Sequence, residues 1–217
     1  IRISSIEPTT VTDQLLELMA SSSKLCPYLH IPLQSGDDGI LTAMNRSYSA
    51  QDYVRLVERA LHKIPTLGLG TDIMVGFPGE DDTAFANTLK LATELPFAYF
   101  HVFPFSPRPG TAAVKLANPV SATHMKKRMA ILTGLSQAKR LAAHNRYIGT
   151  TVGVLFESGH HDGFAVGTAA NFLRVAVPSQ LELTNQVYPV TITAASERWA
   201  VGHLAAQPPA PTRLPML

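Results

Sequence analysis

The chain has 217 residues, 46% of them hydrophobic and 16% charged, with a formal net charge of +2. This length and composition suffice to bury one large or two smaller hydrophobic cores, and they are those of a soluble, globular protein. A single cysteine excludes an internal disulfide framework, and the sequence has neither a signal peptide nor an apolar run long enough to span a bilayer. We therefore expect a cytoplasmic protein without a membrane partner and, because the first residue is not methionine, a piece of a longer chain.

The first half of the sequence alternates short apolar or β-branched runs with helical patterns. The runs that predict strands are residues 1–6, 28–33, 69–75 and 98–103. Helices are predicted at residues 12–22, at 37–45, from Ser49 onward and at 81–94, and Ser49 and Asp52 have the spacing of a capping pair. Because strand, helix and strand repeat at this spacing, the crossovers are right-handed and the sheet is parallel. The pattern is typical of an incomplete α/β barrel or of part of a doubly wound sheet.

The second half changes character after a predicted basic helix at residues 121–145. Beyond Gly149 the apolar residues recur at every second position, which predicts strands at residues 151–156, 171–177 and 187–193. Short strands separated by Gly, Asn and Pro turns favour a small β-barrel of the oligonucleotide-binding type. The last dozen residues, "AQPPAPTRLPML", are rich in proline and are predicted to be unfolded.

The small net charge conceals a strong asymmetry along the chain. Residues 95–156 carry eight Lys or Arg side chains and no carboxylate, whereas residues 1–94 carry seven basic and twelve acidic side chains. A basic stretch of this kind, without a strongly apolar face beside it, indicates a surface that meets nucleic acid. The alternative is a solvated helix face whose counter-charges lie elsewhere in the fold.

Polar or Gly/Pro-rich turns follow each predicted strand, and a parallel sheet brings such turns to one edge, where ligands bind. The turn "GFPGEDD" offers a helix start, yet its three carboxylates argue against a phosphate and favour a neutral or cationic ligand. Asp81 or Asp82 is placed to cap the next helix. Gln34 and Ser35 suit ribose hydroxyls or an adenine edge.

Several other polar residues have structural explanations. His30 is predicted to be a satisfied core or edge histidine rather than a metal ligand, and Cys26 a small buried residue rather than a nucleophile. Arg46 and Arg108 are candidates to bind a carboxylate or phosphate, or are ordinary surface residues. The group His160, His161 and Asp162 is predicted to be an exposed turn rather than a metal site.

Five stretches carry a resemblance to a known family: "SSIEP", "LCPYLHIPLQSG", "MNRSYSAQDY", "TDIMVGFPGE" and "HVFPFSPRPGT". They occur in the order and spacing of the radical S-adenosylmethionine methylthiotransferases, and the sequence most resembles the branch that acts on threonylcarbamoyladenosine in tRNA. The likeness runs over residues 1–204. Its last part, "YIGTTVGVLFE" through "NFLRVAVP" to "NQVYPVTIT", resembles the TRAM domain of that family, a small β-barrel that binds tRNA.

The resemblance implies an α/β fold, a partial (βα)₆ radical SAM barrel of which this chain has the last four strands, followed by a small all-β TRAM barrel. The implied divisions are a partial barrel at residues 1–120, a basic connecting helix at 121–146, the TRAM barrel at 147–205 and a disordered tail at 206–217. The implied activity adds sulfur and a methyl group to carbon 2 of the modified adenosine beside the anticodon of tRNA. The implied cofactors are S-adenosyl-L-methionine, cleaved to a 5′-deoxyadenosyl radical, and [4Fe–4S] clusters.

The resemblance also assigns residues to the two ligands, while no catalytic residue and no metal ligand is assigned. On the cofactor side it places Ser5, Glu7, Gln34, Ser35, Gly76, Gly79, Glu80 and Arg108. The residues expected to contact RNA are Lys126, Lys127, Arg128, Lys139, Arg140, Arg146 and Arg174.

One departure from the family is large. The CxxxCxxC loop that holds the radical cluster is absent, and a cluster needs about three or four thiolates where this chain has one cysteine. We therefore expect the chain alone to hold no cluster and to be inactive. The sequence indicates neither the sulfur donor nor the source of the clusters. Alternatives are a methylthiotransferase acting on isopentenyladenosine in tRNA or on a ribosomal protein, and a non-catalytic RNA-binding protein.

Overall fold

The computed structural model describes residues 1–161, 163–178 and 183–205. They form two compact units, and the division between them lies between Lys139 and Arg140. Asp162, of the predicted His160–Asp162 turn, and the predicted unfolded tail at 206–217 lie outside the described residues. Among the helices described, none has both the length and the apolar character needed to cross a membrane.

The first unit contains a parallel sheet with three strands in the order β1-β2-β3. These strands are β1 (Tyr28–His30), β2 (Gly68–Val75) and β3 (Tyr99–Pro104). The helices are α1 (Asp13–Ser21), α2 (Asp38–Ala43), α3 (Ala50–Lys63), α4 (Asp82–Glu94) and α5 (Ala122–Asn145), of which the last runs on into the second unit. The alternation of strands and helices confirms the mixed α/β class.

Local sequence explains where the helices start. Thr12, Asp37 and Asp81 each accept a hydrogen bond from a backbone N–H in the first turn of α1, α2 and α4. Ser49 and Asp52 form the predicted capping box at the start of α3. These contacts satisfy N–H groups that have no partner within the helix.

The predicted strand at residues 1–6 is wrong in extent, because this segment makes only one parallel bridge, between Ser5 and His30. The neighbouring strand offers little to pair with: β1 has three residues and lies between Pro27 and Pro32, neither of which has an N–H to donate. The sheet therefore has three full strands among the described residues, where four were predicted.

The two faces of this sheet differ. Alternate side chains such as Leu29, Leu69, Ile73 and Phe100 are buried in one hydrophobic core with the helices. On that side the edge of β3 is protected by α5, where the Ser136 hydroxyl donates to the Phe100 carbonyl and accepts from its N–H. The residues between them point to the other side, here named the open face. Of its residues, Tyr28, His30, Gly70 and Tyr99 are buried, Asp72 is half-buried and His101 is exposed.

The second unit contains a closed five-stranded barrel in the order β4-β5-β6-β8-β7. Its strands are β4 (Thr151–His161), β5 (Phe164–Ala169), β6 (Arg174–Pro178), β7 (Val187–Ala195) and β8 (Ala200–Leu204). The sequence predicted three of these strands and missed β5 and β8, which are short and interrupted by Gly167 and Gly202. All pairings are antiparallel except that of β6 with β8.

A buried histidine, His144, lies at the end of α5 in the second unit. The Nδ1–H of His144 donates to the Ser196 carbonyl oxygen over 2.6 Å, and the ring is 4% exposed. Burial lowers the pKa of His144; the hydrogen bond to Ser196 opposes this effect and the charge of Arg140 adds to it. The neutral imidazole is therefore the form that the fold stabilises.

We expect the free energy of unfolding of this unit to decrease as the pH falls from 7 to 5. A histidine with a lowered pKa contributes stability that is present above its unfolded pKa of about 6.5 and is lost as the pH falls towards the folded pKa. Fluorescence of Trp199, the single tryptophan of the chain, would follow unfolding in denaturant at each pH. His144→Gln should flatten the pH dependence, whereas His203→Gln, at an exposed position of the same unit, should not.

Candidate functional site

The turns after the three strands meet at the carboxyl edge of the sheet, as the sequence predicted. The backbone of Gln34 lies beside β2, since its N–H donates to the Asp72 carbonyl and its carbonyl accepts from Met74. On the other side of β2 the Phe105 N–H donates to the Val75 carbonyl over 2.7 Å. The segments that follow β1 and β3 thus flank the end of β2.

Gln34 is half-buried at this edge and has a backbone φ of +64°, in the left-handed region that few side chains adopt. The two backbone hydrogen bonds hold it there. No residue among those described supplies a hydrogen-bond partner to its side-chain amide. A carboxamide held at a strand end with its donors and acceptor free is suited to bind a polar ligand.

Ser35 has a different role from the one predicted. It is buried, and its hydroxyl lies 3.2 Å from the Thr88 hydroxyl, which also accepts from the Gly36 N–H at 2.9 Å. Ser35 therefore joins the turn to α4 and does not present its hydroxyl at the exposed edge.

The turn after β2 contains two glycines in the left-handed region, Gly76 at φ +83° and Gly79 at φ +90°. Gly79 is exposed, and a groove of about 290 Å³ lies between this turn and α2. The carboxylate of Glu80 folds back and accepts from the Gly76 N–H over 3.1 Å. Glu80 is 6% exposed and stabilises the turn from inside, so it is not placed to contact a ligand.

Arg128 of α5 neutralises this buried carboxylate. Its Nη1 lies 2.6 Å from Oε1 and 2.9 Å from the backbone carbonyl of Glu80, and its Nη2 lies 2.7 Å from Oδ1 of Asp82. The guanidinium also stacks 5.2 Å from the Phe85 ring. Burial raises the pKa of Glu80, although hydrogen bonds from Arg128 and Gly76 act in the opposite direction.

This ion pair corrects two expectations. Arg128 is 6% exposed and fully engaged inside the unit, so it is not available to contact RNA. Two of the three acids in "GFPGEDD" are paired with it, which means that the turn does not present three free carboxylates. The argument from charge against an anionic ligand is therefore weaker than the sequence indicated.

The remaining residues of the predicted cofactor side are exposed. Glu7 pairs with Arg46, whose Nη1 lies 2.9 Å from its carboxylate, so Arg46 is committed to that ion pair. Ser5 lies beside His30 through its backbone bridge. Arg108 lies in the loop after β3, where its carbonyl accepts from Thr111.

The residues predicted to contact RNA differ in their contacts and in their exposure. Lys139 donates to the carbonyls of Thr93 and Leu95 at the end of α4, and Arg174 pairs with Glu157 at 2.9 Å. Arg140 is half-buried. The exposed members of the predicted set are Lys126, Lys127 and Arg146.

Sequence reasoning missed a polar cluster on the open face. Oδ1 of Asp72 lies 3.0 Å from Nε2 of His30 and 3.2 Å from Nδ1 of His101. The hydroxyls of Tyr28 and Tyr99 lie 3.4 Å from Nδ1 of His30. The signal was available, since these residues occupy alternate positions of three strands whose predicted pairing is parallel.

Comparison with known proteins found similarity to one protein family and to solved structures. The sequence profile of the Radical SAM superfamily matches residues 1–92. Coproporphyrinogen III oxidase (HemN) from Escherichia coli, a radical SAM enzyme, superposes with a TM-score of 0.53 at 16% identity, covering 78% of this chain and 44% of that one. An amino-terminally truncated Elp3 from Methanocaldococcus infernus gives a TM-score of 0.49 at 12% identity, covering 82% and 61%. The chain thus spans less than two thirds of either protein.

Proposed function

We propose that this chain is part of a radical S-adenosylmethionine enzyme that modifies tRNA, adding a methylthio group to carbon 2 of N6-threonylcarbamoyladenosine beside the anticodon. The observation that carries the proposal is the Radical SAM superfamily match over residues 1–92, in a parallel sheet whose turns converge on one edge. The five stretches that resemble methylthiotransferases support the specific reaction. A small closed barrel downstream agrees with the resemblance to a TRAM domain.

In this proposal the carboxyl edge of the sheet receives S-adenosylmethionine. Gln34 is held there with its amide available, and Gly76 and Gly79 allow backbone to approach a flat group closely. Glu80 and Arg128 act on this site indirectly, by fixing the turn. The bound cofactor would supply a 5′-deoxyadenosyl radical, and these residues would orient it.

The residues of this chain do not fit an iron–sulfur cluster. Its one cysteine, Cys26, precedes β1 and therefore lies at the amino edge of the sheet, opposite the turns that form the site. A [4Fe–4S] cluster of the radical SAM type takes three or four thiolates. Cluster chemistry must therefore come from residues outside this sequence, and reconstitution of this chain with iron and sulfide should give no cluster absorbance.

Lysines on α5 are proposed to contact the tRNA backbone. Lys126 and Lys127 are exposed within the segment that has no carboxylate, residues 95–156, so no acidic neighbour in that segment competes with a phosphate. Binding through lysines releases counterions from the nucleic acid, and the affinity therefore falls as salt rises.

We expect Lys126→Ala/Lys127→Ala to weaken tRNA binding and to flatten its salt dependence. Each lost phosphate contact reduces the magnitude of the negative slope of log K against log salt by about 0.7–0.9, so two lost contacts reduce it by about 1.5. Filter binding or fluorescence anisotropy with a labelled anticodon stem-loop, at several salt concentrations, measures both effects. An unchanged slope would refute this role for the helix.

Two comparisons separate this proposal from its alternatives. Lys24→Ala/Lys90→Ala removes two exposed lysines of the same unit outside the acid-free segment and should leave the slope unchanged. Stem-loops carrying threonylcarbamoyladenosine, isopentenyladenosine or plain adenosine test the branch, since equal affinity for all three favours a non-catalytic RNA-binding protein. Failure to bind any of them favours the branch that acts on a ribosomal protein.

A further inference from the structure

The open face of the three-stranded sheet brings two imidazoles and one carboxylate to a single point. His30 ends β1, Asp72 lies in β2 and His101 in β3, and the last two are direct neighbours in the strand register. One ligand atom from each lies within 4.8 Å of the other two. The cluster lies next to the carboxyl edge, because Asp72 accepts a backbone hydrogen bond from Gln34 and His30 bridges to Ser5. Its geometry is argued from its own side chains and does not rest on the proposed cofactor role of that edge.

The spacing of these atoms fits a metal ion as well as it fits hydrogen bonds. Nitrogen and oxygen ligands lie about 2.0–2.2 Å from zinc, which places two ligands of a tetrahedral site about 3.3 Å apart. The distances from Oδ1 of Asp72 to the two imidazole nitrogens are 3.0 and 3.2 Å. Two of the three ligand separations are therefore close to those of a tetrahedral site, and the ligand nitrogens of the two imidazoles lie within 4.8 Å of each other.

The surroundings of His30 supply the outer contacts that metal-binding histidines have. Its Nδ1 faces the hydroxyls of Tyr28 and Tyr99, which leaves Nε2 directed at Asp72. Gly70 makes room for this arrangement, because a Cβ there would lie 2.9 Å from the Tyr99 ring and 3.0 Å from Nδ1 of His30. The ring orientation is fixed by neighbours that do not themselves occupy the site.

Exposure increases across the cluster from one end to the other. The side chains of His30, Asp72 and His101 are 8%, 21% and 52% exposed. An ion could therefore enter from the His101 side and would keep a coordination position open to a water or an oxygen ligand. Two histidines and one carboxylate with an open position are typical of mononuclear sites for zinc and related divalent ions.

We propose that His30, Asp72 and His101 form a binding site for one divalent transition-metal ion, with Zn²⁺ as the ion that this set of ligands favours. The test uses the untagged 217-residue chain after exchange against a chelator. Titration with Zn²⁺ in competition with a chromophoric chelator should show one equivalent bound per chain. Co²⁺ should give the visible absorption of a cobalt ion bound to nitrogen and oxygen.

Variants separate this site from casual binding by other histidines. His101→Ala, at an exposed position that should fold normally, and Asp72→Asn should each lower Zn²⁺ affinity by at least about 100-fold, whereas Tyr28→Phe/Tyr99→Phe should lower it by about 10-fold. His62→Ala removes another exposed histidine, on α3, and should change nothing. Absence of stoichiometric binding, or binding that survives His101→Ala, would overturn the proposal, with circular dichroism confirming that each variant is folded.

Discussion

Replacement of Arg128 by methionine is expected to lower the free energy of unfolding of the amino-terminal unit by about 3–5 kcal/mol, because it leaves the Glu80 carboxylate buried without its partner. The side chain of Glu80 is 3% exposed, and Arg128 supplies its charged partner at 2.6 Å. Methionine keeps much of the apolar stem of the arginine, so the loss reports mainly the ion pair. Urea denaturation followed by the helical circular dichroism signal measures the change.

The pH dependence of this variant gives a second readout. Without Arg128 the burial of Glu80 raises its pKa with less opposition, and an acid with a raised folded pKa contributes stability at low pH that is lost as the pH rises. Arg128→Met should therefore be less destabilised at pH 5 than at pH 7. A destabilisation of equal size at both pH values would show that Glu80 is not the source.

Neighbouring substitutions complete the test. Lys127→Met makes the same kind of change at the adjacent exposed position and should alter stability by less than about 0.5 kcal/mol. In Arg128→Met/Glu80→Gln the buried charge is gone while an amide oxygen remains to accept from Gly76. That double variant should recover much of the loss, whereas additive losses would contradict coupling between the two residues.

Features of the fold that depend on nearby residues were predictable from the sequence. The capping pair of Ser49 and Asp52 is set by a spacing of three residues. The place of Asp81 and Asp82 before an apolar helical pattern predicted that one of them caps the helix, and the structure has Asp81 as the cap. The parallel sheet followed from the order of strands and helices. The strand at residues 1–6 was overestimated because its pattern could not show that the partner strand would be only three residues long.

Features that depend on distant residues were not predictable in the same way. Arg128 looked equivalent to Lys126 and Lys127, yet it lies four and eight residues before Leu132 and Ser136, on the buried stripe of α5. That spacing is a usable signal for a buried arginine. Its acidic partners are more than 40 residues away, and no local pattern identified them.

The candidate site shows the same division between nearby and distant contacts. The convergence of Gln34 and the Gly76 turn at one edge follows from strand order alone. The engagement of Ser35 with Thr88 depends on how α4 packs against that edge, more than 50 residues further along. Residue types at strand ends therefore indicated where the site lies, whereas the tertiary packing decided which of them remain free to bind.

Gly36→Ala is expected to lower the free energy of unfolding of the same unit by about 1–3 kcal/mol, the range for overpacking a tight contact. A Cβ at position 36 would lie 2.7 Å from Cα of Thr88 and 2.9 Å from the Asn87 carbonyl oxygen. Both are backbone atoms of α4, so no flexible side chain can move aside. Either α4 or the turn that carries Gln34 must shift, and denaturation measured by circular dichroism would report the cost.

The matched control for this prediction is expected to change the stability in the opposite direction. Gly134→Ala makes the same substitution in the middle of α5, where a Cβ would have open space around it, and should raise stability by about 0.5–1 kcal/mol because alanine favours a helix. If Gly36→Ala were neutral or stabilising, the contact between the turn and α4 would be looser than the structure has it. The position of Gln34 at the sheet edge would then depend on its two backbone hydrogen bonds to β2 and not on packing of the turn against α4.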